Sequence, residues 1–73
     1  MKKDFFYAEL IQALNIKDEI INEDSLLYLD SLATLSIIAF VDEKFNQEID
    51  TDKLTYIIKV RDLMNLIGTD KFE

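Results

Sequence analysis

Any chemistry in this chain must come from carboxylates, hydroxyls and lysines, because its 73 residues include no histidine and no cysteine. Without histidine the commonest general base and the commonest zinc ligand are missing. No Ser-His-Asp triad can be assembled, and without cysteine there is neither thiolate chemistry nor a disulfide staple. Asp50-Thr51-Asp52 opens like a calcium loop, but Thr55 stands where the loop needs glycine and Arg61 where it needs a bidentate glutamate. No metal site is therefore expected. Asp42 and Glu43 are paired acids, yet they fall on a convex helical face with nothing to desolvate them and read as solvated surface. Ser31 differs in kind. It sits between Asp30 and Leu32 at the mouth of a long helical pattern. Free backbone N–H groups and the positive end of the helix dipole favour a phosphate there. Its hydroxyl suits acceptance of a phosphate-containing group, and an ordinary capping serine would have the same spacing. Asp24-Ser25-Leu26 repeats the tripeptide in a connecting segment, so what singles out Ser31 is the helix that it opens.

That helix is the element the chain is organised around, spanning 31–45. An Asp-Ser pair makes a good start, since side-chain oxygens there accept from the first free N–H groups. At roughly 100° per residue, Thr34, Ile37, Ile38, Val41 and Phe45 share one arc suited to a core. Leu32, Leu35, Ser36, Ala39, Asp42 and Glu43 lie opposite, apolar near Ser31 and acidic farther along. Such a surface can dock a partner beside the serine.

The other elements come from the same periodicity. Asp4 is expected to cap a first helix over 4–14, with Phe6, Leu10 and Leu14 inward, Ile11 alongside and Asn15 as its end. Residues 16–30 form a long surface connection pinned by Ile20, Ile21, Leu27 and Leu29, with room for a short helical turn. Residues 46–51 read as a turn anchored by Ile49, and a short helix over 52–57 holds Leu54, Tyr56 and Ile57. A strand over 54–58 fits the residue types but lacks a partner strand. Val60, Leu63, Met64 and Ile67 mark a last helix over 59–68, with Gly68 as the stop, and 69–73 is expected to fray. The sum is an all-α single domain, a small bundle of three main helices plus one short one.

Fifteen acidic against eight basic residues give a net charge of −7. This repels nucleic acid and anionic lipid and favours basic partner surfaces. No apolar run is long enough to span a bilayer and no signal peptide is evident, so cytoplasmic residence is expected. A chain of this length buries only about 60% of its unfolded surface and is marginally stable.

Asp30-Ser31-Leu32, the helix to Phe45, Glu48-Ile49, the short segment around Leu54 and Ile57, and Val60 opening the last helix resemble, in that register, the acyl carrier proteins. The resemblance covers nearly the whole chain. It implies a non-catalytic, monomeric carrier, of acyl-carrier-like bundle fold, with 4′-phosphopantetheine transferred from coenzyme A to Ser31 by a phosphopantetheinyl transferase, Asp30 assisting recognition. The arm's thiol would then hold acyl or aminoacyl groups as thioesters, chemistry that a chain without Cys or His cannot supply itself. Loading and condensing enzymes with basic patches would dock on Leu32, Leu35, Ala39, Asp42 and Glu43. Ile37, Ile38, Val41, Phe45, Ile57 and Val60 would line an acyl pocket or simply pack the core. Relative to the family pattern, Tyr28 replaces a usual glycine, and Ala33, Ser36 and Lys44 make the recognition helix less acidic. The implied pathway is therefore fatty acid or lipid synthesis, or a dedicated polyketide, nonribosomal peptide or aminoacyl route. The reading from another class is an unmodified helical adaptor that keeps the fold.

Overall fold

The computed structural model describes residues 1–15, 22–27 and 29–73. Among them the chain forms helices α1 (Lys3–Leu14), α2 (Ser31–Phe45), α3 (Thr51–Leu54) and α4 (Val60–Ile67), succeeded by a 3₁₀ turn (Thr69–Lys71). No strand occurs among the described residues, in keeping with a mostly helical fold.

Each helix end has a local cause. Helix α1 begins one residue before Asp4, with Lys2 in the cap position and no side-chain cap. Asp4 therefore does not cap the helix. It lies in the first turn, where the helix dipole favours a carboxylate. Asn15 ends α1 in left-handed geometry (φ 53°), its N–H directed at the Gln12 and Ile11 carbonyls. Asn46 closes α2 in the same way (φ 52°). At the other end of α2, the Asp30 carboxylate accepts from the Ala33 N–H at 2.8 Å, and the Thr34 hydroxyl donates to the Asp30 carbonyl at 2.8 Å. Gly68 stops α4 at φ 123°, where a β-carbon would stand 2.9 Å from a carboxylate oxygen of Asp70.

The buried face of α2 consists of Ile37, Phe40 and Val41, while Ile38 and Phe45 are half-buried and Thr34 is partly covered. The helix is thus turned toward Phe40, which the expected arc left out. The cause is α1. Phe6 is fully buried, and its ring meets Phe40 at 5.8 Å, Phe45 at 6.2 Å, Tyr7 at 6.2 Å and Phe72 at 4.8 Å. Edge-on and tilted arrangements at these separations are the favourable ones for aromatic pairs. An ion pair between Lys44 and Glu9 (3.0 Å) also links α1 to α2.

Phe72 belongs to this cluster, so the tail does not fray. It touches Phe45 at 5.6 Å as well as Phe6, the Met1 amine donates to the Lys71 carbonyl (2.8 Å), and the Glu73 N–H donates to the Met1 carbonyl (2.9 Å). The ring contacts and the two terminal hydrogen bonds act together to hold these residues in place.

The described part of the connection does not run free over the surface. Residues 22–25 make a tight turn, with the Asn22 side chain accepting from the Asp24 N–H at 2.8 Å. The chain then lies antiparallel to the start of α4, meeting it in one isolated bridge, Leu26 with Lys59. The Val60 and Arg61 N–H groups, which a helix start leaves without partners, donate to the carbonyls of Ser25 (2.9 Å) and Glu23 (2.7 Å). The Leu27 N–H donates to the Ile58 carbonyl at 2.8 Å. Leu27 is buried and Leu29 half-buried, as expected of pins; Ile20 and Ile21 lie outside the described residues.

Helix α3 is shorter than the sequence suggests. Thr55 donates its hydroxyl to the Asp52 carbonyl, and the Tyr56 and Ile57 N–H groups reach back three residues, so the backbone tightens after Leu54. This turn buries Ile57 and leaves Tyr56, expected within the short helix, beyond its end and 81% exposed. The chain must then extend through Ile58 and Lys59 to meet Leu26.

Replacing Phe72 with alanine removes the lid of the aromatic cluster. A half-buried ring at this site is worth about 2 kcal/mol, so thermal unfolding should show Phe72→Ala melting about 8–16 °C below wild type. An unchanged melting temperature would mean that the tail contributes nothing.

A second expectation concerns acid. Hydrogen bonds from the backbone N–H of Lys59 and then Ile58 hold the Asp62 carboxyl below its ordinary value, and Lys3 and Arg61 do the same for Glu23. The unfolded chain therefore takes up protons first as pH falls. The stabilisation is complete above the ordinary carboxylate range and is lost as pH drops below about 4 through the lowered native values. In melting curves between about pH 7 and pH 3, Asp62→Ala should start lower than wild type and show a shallower acid decline. Parallel curves would contradict this.

Candidate functional site

Ser31 is the first residue of α2 and is exposed. Its position is set by Asp30. The carboxylate of Asp30 takes the Ala33 N–H, so the capping role belongs to the aspartate and not to the serine. The Ser31 hydroxyl has no hydrogen-bond partner among the described residues and remains free to react. It also stands at the positive end of a fifteen-residue helix, where a phosphate monoester or diester is electrostatically favoured.

An open cleft of about 490 Å³ adjoins this hydroxyl, with Asp30 and Ser31 on its rim. Its apolar wall consists of Leu29, Leu35, Leu54 and Ile57, and Thr34, Thr51 and Thr55 supply hydroxyls. The cleft lies where the N-terminal turns of α2 face α3 and the turn after it. Two of its threonines already donate to backbone carbonyls, Thr34 to Asp30 and Thr55 to Asp52, so their oxygens face outward as acceptors.

The residues expected to line an interior pocket are distributed differently. Ile37, Val41 and Val60 are fully withdrawn from solvent and take part in the packed core, while Ile38 and Phe45 are half-buried. Of that group only Ile57 reaches the cleft beside Ser31. The reason is the turn of α2 toward Phe40, which commits its inner face to α1. In place of those residues the cleft takes Leu29, Thr51, Leu54 and Thr55, contributed by segments whose approach to Ser31 depends on tertiary contacts. Thr34, which periodicity assigned to the core, is partly covered and lines the cleft. Its wall position becomes apparent only once the Asp30 cap fixes the first turn.

The expected docking residues share one exposed side of α2. Leu32 is 74% and Leu35 62% exposed, and Ala39, Asp42 and Glu43, positioned along the same helix, are exposed as well. Leu35 serves both features, since it is exposed to solvent and also walls the cleft. Tyr56, Ile58 and Leu26 are also exposed apolar side chains, which periodicity did not reveal. No described helix is long and apolar enough to cross a membrane, and no metal-binding cluster of acids occurs among the described residues.

Comparison with known proteins does not add a relative: no family model, no curated protein and no solved structure matches this chain.

Proposed function

We propose that this chain is a carrier protein of the acyl-carrier type, modified on Ser31 by 4′-phosphopantetheine, and that it is not itself an enzyme. The observation that carries the reading is the division of labour at the start of α2. Asp30 caps the helix and Ser31, exposed and without a partner among the described residues, is left at the helix mouth beside an open cleft. The resemblance of the Asp30–Val60 register to acyl carrier proteins supports the same reading.

The attachment balances without any base from this chain. The Ser31 oxygen attacks the phosphorus of coenzyme A that bears pantetheine, an oxygen–phosphorus bond forms, and the pyrophosphate bond breaks with adenosine 3′,5′-bisphosphate leaving. The serine proton passes to the transferase, because this chain has no histidine to receive it. Once in place, the arm supplies a thiol on which acyl groups ride as thioesters. The chain's own residues have three tasks: Ser31 provides the anchor, the first turn of α2 stabilises the phosphate charge, and the cleft walls receive the arm and its cargo. Leu32, Leu35 and Ala39, with Asp42 and Glu43 beyond them, offer an apolar patch and an acidic flank for basic partner enzymes. We read the protein as a cytoplasmic monomer in fatty acid, lipid or a dedicated biosynthetic route.

Intact mass spectrometry after incubation with coenzyme A and a broad-specificity transferase tests this. Wild type should gain one phosphopantetheine and Ser31→Ala none; wild type left unchanged by several transferases would point to the helical adaptor instead.

Docking is tested separately. Leu35→Glu places a charge in the apolar patch without touching the core, and should slow arm attachment about tenfold or more while the far-ultraviolet circular dichroism stays that of wild type. Loss of the helical signal in this variant would show that Leu35 is structural.

A further inference from the structure

We infer that the cargo this carrier is built to hold is a small amine-bearing acyl group, an aminoacyl thioester, and not a long alkyl chain or a carboxylate-bearing one. The inference rests on the carrier reading above and deepens it. Three features of the cleft beside Ser31 carry it.

The first is charge. Asp30 is the one charged residue among the described residues that line the cleft, and none of them is basic. Asp50 and Asp52 flank the lining residue Thr51 in the chain, Lys53 flanks Leu54 but lines a different cleft, and the whole protein carries −7. A phosphodiester on Ser31 adds a further negative charge at the same mouth. With the positive end of α2 taken up by that phosphodiester, a cargo carboxylate meets like charge and no cation among the described lining residues, whereas an ammonium is attracted.

The second is hydrogen-bond polarity. Thr34 and Thr55 spend their protons on backbone carbonyls, so toward the cleft they can only accept. Together with the carboxylate of Asp30 they give the cleft three acceptor groups against one hydroxyl of the described wall, Thr51, that can either donate or accept, a balance that suits a cargo rich in N–H donors.

The third is shape. The cleft is open, and its apolar wall of Leu29, Leu35, Leu54 and Ile57 is interrupted by hydroxyls. A long alkyl chain needs a continuous apolar sleeve to gain much from burial. Ile37, Val41 and Val60, which would form such a sleeve, are packed into the core.

The test charges Ser31 directly. A broad-specificity transferase with coenzyme A, or with its glycyl, malonyl or octanoyl thioester, yields four forms in which the same bonds form and break at Ser31. Melting temperatures at neutral pH should place the glycyl form at least about 2 °C above the form bearing the bare arm, with the malonyl form below it and the octanoyl form level with it. In an NMR titration the glycyl ammonium should keep its proton to higher pH on the protein than on free glycyl-pantetheine. Thr55→Val, compared with its own bare-arm form, should lose most of the glycyl gain. An octanoyl gain exceeding the glycyl one, or a glycyl ammonium that titrates as in free pantetheine, would overturn the cargo assignment and leave the carrier reading intact. Failure of any arm to attach would overturn the carrier reading, and the cargo assignment with it.

Discussion

The hydrogen bond from the Ala33 N–H to the Asp30 carboxylate decides where α2 begins, and most of what matters at the surface depends on that one choice. A helix start leaves its first N–H groups without backbone partners, and an aspartate in extended geometry answers them well. Because the aspartate takes this role, the next residue is the first helical one, and its side chain owes nothing to the backbone. Had the serine been the cap, its oxygen would be committed and the helix would start one residue later. The Thr34 hydroxyl, bound to the Asp30 carbonyl, then fixes the second wall of the cleft in the same turn.

A comparable economy governs the far side of the molecule. The free N–H groups of α4 are met by carbonyls of the connection, and Asp62 reaches back to the N–H groups of Ile58 and Lys59. The connection and the helix start thus complete each other's hydrogen bonding. Around this seam Glu23 meets Lys3 and Arg61, and Arg61 also meets Asp24, at 2.8–3.3 Å. Exposed pairs of this kind add little individually. Their effect is to hold in register a seam whose backbone bonds already define it, and Leu29 and Ile57, on the two stretches of chain leaving that seam, become walls of the cleft.

What the sequence made legible was local. The 3.6-residue repeat located α2 and α4, Asn15 marked an end through its tolerance of left-handed backbone, and Gly68 did so through its missing β-carbon. What escaped was set by distant partners. Phe40 lies outside the arc expected at roughly 100° per residue, and only the presence of Phe6 opposite makes that the interior. Phe72 reads as a tail residue until the same ring is placed beside it. The early end of α3 comes from the need to extend toward Leu26, a contact between segments far apart in the chain. At the site, Ser31 and its exposed apolar neighbours were readable from one helix, while the opposing wall at Thr51, Leu54 and Thr55 required the fold.

The distribution of charge links these levels. Acids outnumber bases nearly two to one, yet three of the described cations are held in ion pairs, Lys3 and Arg61 at the seam and Lys44 against Glu9. Asp42 and Glu43, at the far end of the side of α2 that bears Leu32, Leu35 and Ala39, form no ion pair among the described residues. An apolar patch alone would invite self-association. The strongly negative surface makes copies of the chain repel one another, which counters that tendency. Ser31 stands at the start of that same helix, where the Asp30 cap places it.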